Sequence, residues 1–337
     1  MDPLFKKTST IVIINYNFYW NNPIVNKYLG IDAIPDYEGI LILRKNEKHV
    51  WISHPFNFNQ AKKEFGQKVI VKNHEKSEEL EKIIKKYCGK KVGYDAKFTS
   101  VNGLKNLKKL LKGKKLIDVS KELGESREIK TKKEVEKISK AVHETKKVIT
   151  LAKKKLKYGI SEKEIEQFFR KEFEKDGFDT AFCIVAFGNN TKNLHHVSGN
   201  KKLSDEEILF DVGAKYKGYC ADISESFWFG KTKSKRRENY ARELTFVKDK
   251  LEIIENQMKS GVRANKLFAL CKGLNIPHAL GHGLGIEEHD FPSGIGEKSN
   301  WKLKEGMVLA IEPGTYTKFG IRIERDYLIT KKGAREL

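Results

Sequence analysis

Apolar and polar residues alternate along the first third of the chain in a pattern that predicts short strands and helices. Runs typical of strands occur at residues 11–14, 38–43, 49–53, 69–71, 91–94 and 116–119. Amphipathic stretches typical of helices occur at residues 78–87 and 101–111. The runs at 38–43 and 49–53 surround a polar turn and are expected to form a hairpin. We therefore expect a compact α/β domain over residues 1–122.

The rest of the chain, residues 126–337, is expected to form a larger domain of mixed α/β (α+β) class. Thr131 with Glu134, and Ser161 with Glu164, have the spacing of capping boxes, so a helix is expected to begin after each pair. Further helices are predicted at 236–258 and 267–274, and strands at 182–187, 307–311, 314–317 and 321–329. Two helical pairs, each followed by sheet residues, indicate an internal pseudo-two-fold symmetry.

The stretch ILFDVGAKYKGYCADISESF, residues 208–227, carries two aspartates in strand-like apolar surroundings. Asp211 and Asp222 are separated by Gly213 and Gly218, which would let the chain turn back. Two antiparallel strands would bring both carboxylates to one end of a sheet. Burying a carboxylate alone is costly, so this arrangement requires a cation or hydrogen-bond donors.

Three further residues with metal-binding side chains follow at the ends of apolar segments. His282 lies in HALGHGLG, Glu312 in MVLAIEPG and Glu324 in GIRIER. Together with the two aspartates they form a set of four carboxylates and one imidazole. Such a set suits Mn²⁺, Co²⁺, Fe²⁺ or Zn²⁺ better than an ion that prefers thiolates. Because five side chains exceed what one ion needs, we expect two metal ions.

Charge and cysteine usage narrow the possible partners. The formal net charge is +21, but the lysines are dispersed at helix-face spacing and aromatic residues are not interleaved with them. We therefore expect a lysine-rich surface and no nucleic-acid partner. No apolar run approaches the roughly 18 residues of a membrane span, so no membrane partner is expected. The start, MDPLFKK, lacks a signal-peptide core, and the cysteines form no CxxC pair, so we expect a cytoplasmic protein.

The words DVGAKYKGYCAD, GHGLG, IEPG and IRIE, with ligands in the order Asp, Asp, His, Glu, Glu, resemble those of the pita-bread metallopeptidases. That family includes methionine aminopeptidase, prolidase and aminopeptidase P. SREIKTKKEVEKISKAV resembles the start of the first catalytic helix in prolidases, and INYNFYW resembles part of their amino-terminal domain. The resemblance implies a pita-bread catalytic domain with pseudo-two-fold symmetry, preceded by a smaller α/β amino-terminal domain.

The resemblance also implies roles for the five ligands. Asp222 and Glu324 match carboxylates that bridge two metals, Asp211 matches a ligand of one metal, and His282 and Glu312 match ligands of the other. A water molecule held between the metals would become a hydroxide-like nucleophile that attacks the peptide carbonyl. Glu312 also matches the residue that moves the proton of that water to the leaving nitrogen. Mn²⁺ is the favoured ion.

Histidines outside the ligand set are expected to line the cleft. In NLHHVSGN, His195 matches a histidine that donates to the substrate, and its neighbour His196 is the alternative for this role. His289, in EEHD, matches a second cleft histidine near the tetrahedral intermediate. His278 matches a histidine that lines the pocket for the leaving residue.

Arg322 and Ser224 are expected to support the ligands. Arg322 lies two residues before Glu324 and matches a prolidase arginine that helps hold the site or the carboxylate of a dipeptide. The alternative is that Arg322 pairs with one of the two aspartates. Where the family often has threonine, Ser224 keeps a hydroxyl two residues after Asp222.

The function implied is hydrolysis of Xaa-Pro bonds, by an Xaa-Pro aminopeptidase or an Xaa-Pro dipeptidase. The expected substrates are short peptides with proline at the second position. Methionine aminopeptidase is the alternative enzyme, but those enzymes usually lack an amino-terminal domain of this size. A non-catalytic binding relative is the alternative from another class, and such relatives typically lose metal ligands. A homodimer is expected, with the aromatic residues 16–20 partly buried between chains.

Overall fold

The computed structural model describes residues 3–15, 22–30 and 38–337, which form two compact units, Met1–Ser126 and Arg127–Leu337. The aromatic residues 16–20 expected at a dimer contact lie outside the described residues. In the part of the chain that is described, no helix combines the length and the apolar character needed to cross a membrane.

The first unit alternates strands and helices, in agreement with its sequence pattern. Its strands are β1 (Thr10–Asn15), β2 (Gly39–Arg44), β3 (Val50–Ser53), β4 (Ile70–Asn73), β5 (Lys91–Tyr94) and β6 (Lys115–Asp118). Its helices are α1 (Pro23–Leu29), α2 (Phe58–Phe65), α3 (Ser77–Tyr87), α4 (Val101–Leu110) and α5 (Ser120–Glu125). Helices α1, α2 and α5, each of which has eight residues or fewer, are absent from the predicted elements.

These strands form one sheet with the order β4-β3-β2-β1-β5-β6, and the predicted hairpin of β2 and β3 is confirmed. Alternate residues of β1 pack on opposite faces, as a strand requires. Ile11 and Ile13 join a cluster with α1 and α2, whereas Val12 joins a cluster with α3 and α4. The sheet is therefore covered by helices on both faces.

The second unit begins with two helices, α6 (Lys132–Lys155) and α7 (Glu162–Lys175). Thr131 and Ser161 each accept a hydrogen bond from the backbone of the glutamate three residues on, so both predicted capping boxes are confirmed. The strands that follow are β7 (Asp179–Phe187), β8 (Glu207–Tyr216), β9 (Tyr219–Cys220) and β10 (Ile223–Trp228). They form a sheet with the order β10-β8-β7, β9 also pairs with β8, and α6 and α7 share an apolar cluster with this sheet.

The second half of this unit repeats the order of helices followed by sheet. Its helices are α8 (Lys235–Gln257) and α9 (Ala264–Phe268). Its strands are β11 (Gly281–Gly283), β12 (Val308–Ile311), β13 (Gly314–Thr315), β14 (Ile321–Arg322), β15 (Arg325–Ile329) and β16 (Ala334–Glu336). One sheet has the order β11-β12-β15-β16, while β13 pairs with β14.

Three predicted elements of this half are wrong in extent. The strand expected at 314–317 ends at Thr315. The helix expected at 267–274 begins at Ala264 and gives way to a 3-10 turn that ends at Cys271, and Gly273, with a positive φ of 94°, is incompatible with its continuation to residue 274. The single strand expected at 321–329 is split into β14 and β15, which pair with different strands. The interruption falls at Glu324, whose backbone N–H donates to the Ser224 carbonyl on β10 at 3.0 Å.

Candidate functional site

Strands β8 and β10 bring three of the predicted ligands together. Asp211 on β8 lies opposite Ser224 on β10, and Asp222 lies two residues before Ser224, on the same face of the sheet. Glu324 reaches this face because its backbone N–H donates a hydrogen bond to the Ser224 carbonyl. The break between β14 and β15 thus places the third carboxylate beside the first two.

Strands β11 and β12 supply the other two ligands from an adjoining edge. His282 is the central residue of β11, and Glu312 directly follows β12. The two strands pair with Gly281 opposite Ile311, and the Glu312 backbone N–H donates to the Leu280 carbonyl at 2.8 Å. These contacts hold the His282 and Glu312 side chains next to each other.

All five predicted ligands meet in one cluster. The ligand atoms of Asp211, Asp222 and Glu324 all lie within 4.8 Å of one another, and so do those of His282, Glu312 and Glu324. Asp211, Asp222, Glu324 and His282 are buried, whereas Glu312 is partly exposed. Glu324 therefore lies between two groups of donors, each of a size and composition suited to one metal ion.

Burial and mutual repulsion act together on the carboxylates. Burial raises the pKa of Asp222 well above its ordinary value, and Glu324 and Asp211 raise it further. Burial and then Glu324 raise the pKa of Glu312, while burial and then Asp211 raise the pKa of Glu324 to about 7. A divalent cation would favour the ionised carboxylates and relieve this repulsion. The donor set therefore fits the metal ions expected from the sequence.

His282 has its ring nitrogens arranged as a metal ligand requires. Its Nδ1 lies 3.1 Å from the Gly283 carbonyl, which can only accept, so Nδ1 carries the hydrogen. Its Nε2 faces Asp222 Oδ2 at 3.5 Å and Glu312 Oε1 at 3.7 Å. Burial and then His289 lower the pKa of His282 to about 4, which favours the neutral imidazole that metals bind.

Ser224 and Arg322 connect the carboxylates. The Ser224 hydroxyl lies 2.9 Å from Asp211 Oδ1 and 2.7 Å from Glu324 Oε2, and it accepts from Arg322 Nε at 2.8 Å. Arg322 also forms a buried ion pair with Asp211. This geometry corresponds to the alternative in which Arg322 pairs with an aspartate, and it leaves the guanidinium little surface for a substrate.

The histidines outside the ligand set lie in two different environments. His195 is exposed, and after burial it is the largest cause of the lowered pKa of His289. The His289 ring stacks on His282 with centroids 4.0 Å apart. His196 instead directs Nε2 to Glu162 Oε2 at 2.8 Å. The His289 ring therefore contacts a member of the ligand cluster, His195 lies within electrostatic range of His289, and His196 lies against Glu162.

His278 has both ring nitrogens occupied by protein groups. Nδ1 lies 2.7 Å from the Ala279 carbonyl, so Nε2, 3.1 Å from Tyr316 Oη, accepts from that hydroxyl. Tyr316 Oη in turn accepts from Arg322 Nη1 at 3.2 Å. Burial lowers the pKa of His278 to about 4, so the ring is neutral near pH 7.

Sequence reasoning missed four residues that shape this site: Tyr316, Asp326, Glu162 and Arg127. Asp326, fully buried two residues after Glu324, accepts from the Asp222 backbone N–H at 2.9 Å. A charged residue inside the apolar run of β15 was a usable indication of this role. Arg127 pairs with Asp290, next to His289, at 3.0 Å, and nothing in its local pattern distinguishes it from a surface residue.

Comparisons with known proteins follow the same division of the chain. Residues 136–331 match metallopeptidase family M24, and residues 27–129 match the creatinase/prolidase N-terminal domain. The Xaa-Pro dipeptidase of Pyrococcus furiosus is 31% identical over 329 residues, covering 93% of this chain and 90% of that protein. An uncharacterized peptidase of Staphylococcus epidermidis is 35% identical over 232 residues, and this chain spans 64% of its length.

Solved structures resemble the chain over nearly its full length. The X-Pro aminopeptidase of Thermotoga maritima has a TM-score of 0.87 and 24% identity, covering 97% of this chain and 94% of that one. The prolidase of Pyrococcus furiosus has a TM-score of 0.83 and 26% identity, covering 97% of this chain and 95% of that one. The predicted fold, a pita-bread catalytic domain after a smaller α/β domain, is confirmed. The chain belongs to metallopeptidase family M24.

Proposed function

We propose that this protein is a metal-dependent exopeptidase that hydrolyses Xaa-Pro bonds in short peptides with two divalent metal ions. The observation that carries the proposal is the buried cluster in which Glu324 belongs to two groups of metal-binding side chains. Similarity to the Xaa-Pro dipeptidase of Pyrococcus furiosus supports proline as the residue after the cleaved bond. We assign the chemistry to residues 126–337 and an accessory α/β domain to residues 1–122.

The metal ions are assigned to overlapping sets of side chains. Asp211 would bind one ion, and His282 and Glu312 the other. Asp222 and Glu324 would bind both, since Asp222 also lies with His282 and His289 in a group whose ligand atoms are within 4.8 Å of one another. Oxygen donors with one nitrogen suit Mn²⁺, which we expect to support the highest activity. When bound, two such ions lower the pKa of a water molecule and polarise a peptide carbonyl.

Glu312 is suited to move the proton in this reaction. Its side chain is 15% exposed, against 9% for Asp211 and 6% for Asp222, so it is the most accessible of the three to water and substrate. It would accept a proton from the attacking water and return it to the proline nitrogen. His195 would donate to the carbonyl oxygen, on which negative charge develops, and His289 would support the same group.

The leaving residue would contact the neutral face of His278. Both ring nitrogens of His278 are occupied by Ala279 and Tyr316, so its ring supplies apolar contact area for a proline. Aminopeptidase and dipeptidase activity differ in whether the cleft admits a residue after that proline.

A peptide panel tests the proposal. Protein from which metal has been removed with a chelator would be supplied separately with Mn²⁺, Co²⁺ or Zn²⁺. Each sample would then be given Xaa-Pro, Xaa-Pro-Yaa and Met-Ala-Ser peptides. We expect turnover of the proline peptides only with metal. The ratio of the rates for Xaa-Pro and Xaa-Pro-Yaa distinguishes a dipeptidase from an aminopeptidase. Glu324→Gln should abolish turnover. Glu225→Gln is the matched control, because Glu225 contacts Lys153 and Arg325 instead of the cluster.

Two results of the panel would contradict the proposal. Preference for Met-Ala-Ser would identify a methionine aminopeptidase, the alternative enzyme. Peptide binding without hydrolysis under every metal would identify a non-catalytic binding relative.

We also propose a homodimer, since the amino-terminal domain of the resembled enzymes commonly completes a partner's cleft. Sedimentation at micromolar concentration should show a species of twice the chain mass. Fully active monomer at that concentration would contradict the dimer.

A further inference from the structure

Glu162, the first residue of α7, has a carboxylate that is fully buried and fully occupied. Its Oε1 accepts from the Phe187 backbone N–H and from Asn190 Nδ2, both at 2.8 Å. Its Oε2 accepts from the Gly199 backbone N–H at 3.1 Å and lies 2.8 Å from His196 Nε2. Because four donors surround this buried carboxylate, its hydrogen-bonding capacity is satisfied, and it holds each donor in place.

These donors surround one segment, which we call the histidine segment, residues 188–199. Phe187 ends β7 directly before it, Asn190 lies in its opening 3-10 turn, and Gly199 is its last residue. One carboxylate from a different element therefore fastens both ends of the segment, through Phe187 and Asn190 at its start and through His196 and Gly199 at its end.

The opposite side of the histidine segment is also fixed. Thr191 is fully buried, and its hydroxyl accepts from the Gly320 backbone N–H at 3.2 Å. A Cβ added at Gly320 would lie 1.9 Å from the Thr191 carbonyl oxygen, so the backbones touch there. Gly320 lies between Tyr316 and Arg322, which border the ligand cluster. The segment is thus held between α7 and the turn that carries these residues.

His195 and His196 take different sides of this segment. His196 is half-buried against Glu162, whereas His195 is exposed and close enough to His278 and His289 to lower the pKa of both. His195 lies in the turn at residues 194–195, directly before His196. The Glu162–His196 contact therefore holds the end of the short backbone stretch from which the His195 side chain extends.

We propose that Glu162 is a positioning residue for His195, acting through His196 and the two ends of the histidine segment. This inference rests on the proposed function, in which His195 donates to the substrate. Glu162 touches no ligand of the cluster in the described contacts, so its effect on turnover passes through the segment.

The test is a double-mutant cycle with a structural readout. Glu162→Gln keeps the shape, but it replaces one acceptor oxygen by an NH₂ group that faces two donors. We expect kcat/KM for an Xaa-Pro peptide to fall about 10–100-fold. In a His195→Ala background the same change should cost less than about twofold, since its target is already absent. Amide hydrogen exchange of residues 188–199 should become faster, and the metal content should stay unchanged.

Glu207→Gln is the matched control. Like Glu162, Glu207 is fully buried. It pairs with Arg236 and makes no contact with the histidine segment. We expect this variant to lower the melting temperature while kcat/KM stays within about twofold of wild type. If Glu162→Gln does not fold, His196→Gln, which leaves Glu162 and its other three donors in place, enters the same cycle.

The outcomes separate this inference from the proposed function. Equal losses in the wild-type and His195→Ala backgrounds, or faster exchange with unchanged turnover, would overturn the role of Glu162 alone. Wild-type protein that hydrolyses no Xaa-Pro peptide with any metal would overturn the proposed function, and this inference with it. A loss of kcat/KM that occurs only in the background that retains His195 supports both the positioning role of Glu162 and the proposed function.

Discussion

The ligand cluster balances its buried charge differently from the two segments that carry the proposed cleft histidines, which are the histidine segment and residues 286–291 around His289. In the cluster, burial and neighbouring carboxylates raise the pKa of Asp222, Glu312 and Glu324. In the segments, Glu162 gathers four donors, and Asp290 pairs with Arg127 while accepting from two backbone N–H groups. The cluster therefore needs an added cation, whereas the segments are satisfied by the protein itself.

This difference teaches which parts of the site are formed before metal arrives. The two segments that carry the proposed cleft histidines have their hydrogen bonds in place, so they are preorganised for substrate. The carboxylates share protons until a cation replaces them. Changes to the cluster should therefore respond to metal concentration, and changes to the segments should not.

The largest expected effect separates two ligands by their response to metal. Asp222→Asn removes a negative charge between the two ions, so metal occupancy should fall and saturating metal should largely restore turnover. Glu312→Gln also removes the proton carrier, which is worth about 10²–10⁴-fold in rate, so turnover should stay low. Elemental analysis beside turnover, across a metal titration of both variants, measures the difference.

If Glu312→Gln regains wild-type turnover once its metals are bound, Glu312 acts only as a metal ligand. The mechanism would then need another proton carrier, and His195 is the next candidate. Equal recovery of the two variants would likewise remove the distinction between the bridging and the proton-moving carboxylate.

A smaller effect is expected from the hydroxyl that joins the carboxylates. Ser224→Ala removes a hydroxyl that lies within hydrogen-bond distance of both Asp211 and Glu324 and can donate to either, so metal affinity should fall about 10–100-fold. Ser226→Ala is the control on the same strand, because the Ser226 hydroxyl contacts the Arg322 backbone and Tyr240 instead of a predicted metal ligand. Metal titration by calorimetry should distinguish the variants. Equal affinities would show that Ser224 does not orient the ligands.

The metal-free protein should lose stability as the pH rises from 5 to 7. Burial raises the pKa of Glu324 to about 7 and raises those of Asp222, Glu312 and Asp326 well above normal, whereas the unfolded chain releases these protons at about pH 4. Fewer protons bound in the unfolded state means that stability falls with pH, by about 1.4 kcal/mol per pH unit for each proton retained. His278 and His282, whose pKa values are lowered to about 4, act in the opposite direction below about pH 6.5, but they are two groups against four.

Urea unfolding at several pH values, with chelator or with saturating metal, checks this slope. Metal-loaded protein should show no such loss, because its carboxylates are ionised in both states. A chelated protein with no loss of stability between pH 5 and 7 would mean that the cluster is already ionised without metal.

The same contrast explains which parts of the site could be predicted from sequence. The five ligands lie in short words whose order is specific, and the capping boxes of Thr131 and Ser161 are local, so both were accessible. Glu162 was not, because its donors lie 25 to 37 residues away and its position reads as an ordinary acidic helix start. The break at Glu324 was missed for a similar reason: apolar alternation continues through 321–329, while the partner that interrupts the strand, Ser224, is distant in sequence.

The smallest expected effect compares the two helix caps. Thr131→Ala and Ser161→Ala each remove a side-chain oxygen that accepts from the third residue of a helix, so each should cost about 1 kcal/mol of stability. Their effects on turnover should differ, because only the helix after Ser161 starts with Glu162. Loosening that first turn should shift the Glu162 carboxylate and lower kcat/KM a few-fold, while Thr131→Ala should leave it unchanged. Urea unfolding and steady-state kinetics on both variants measure this, and equal changes in turnover would mean that the start of α7 does not control the histidine segment.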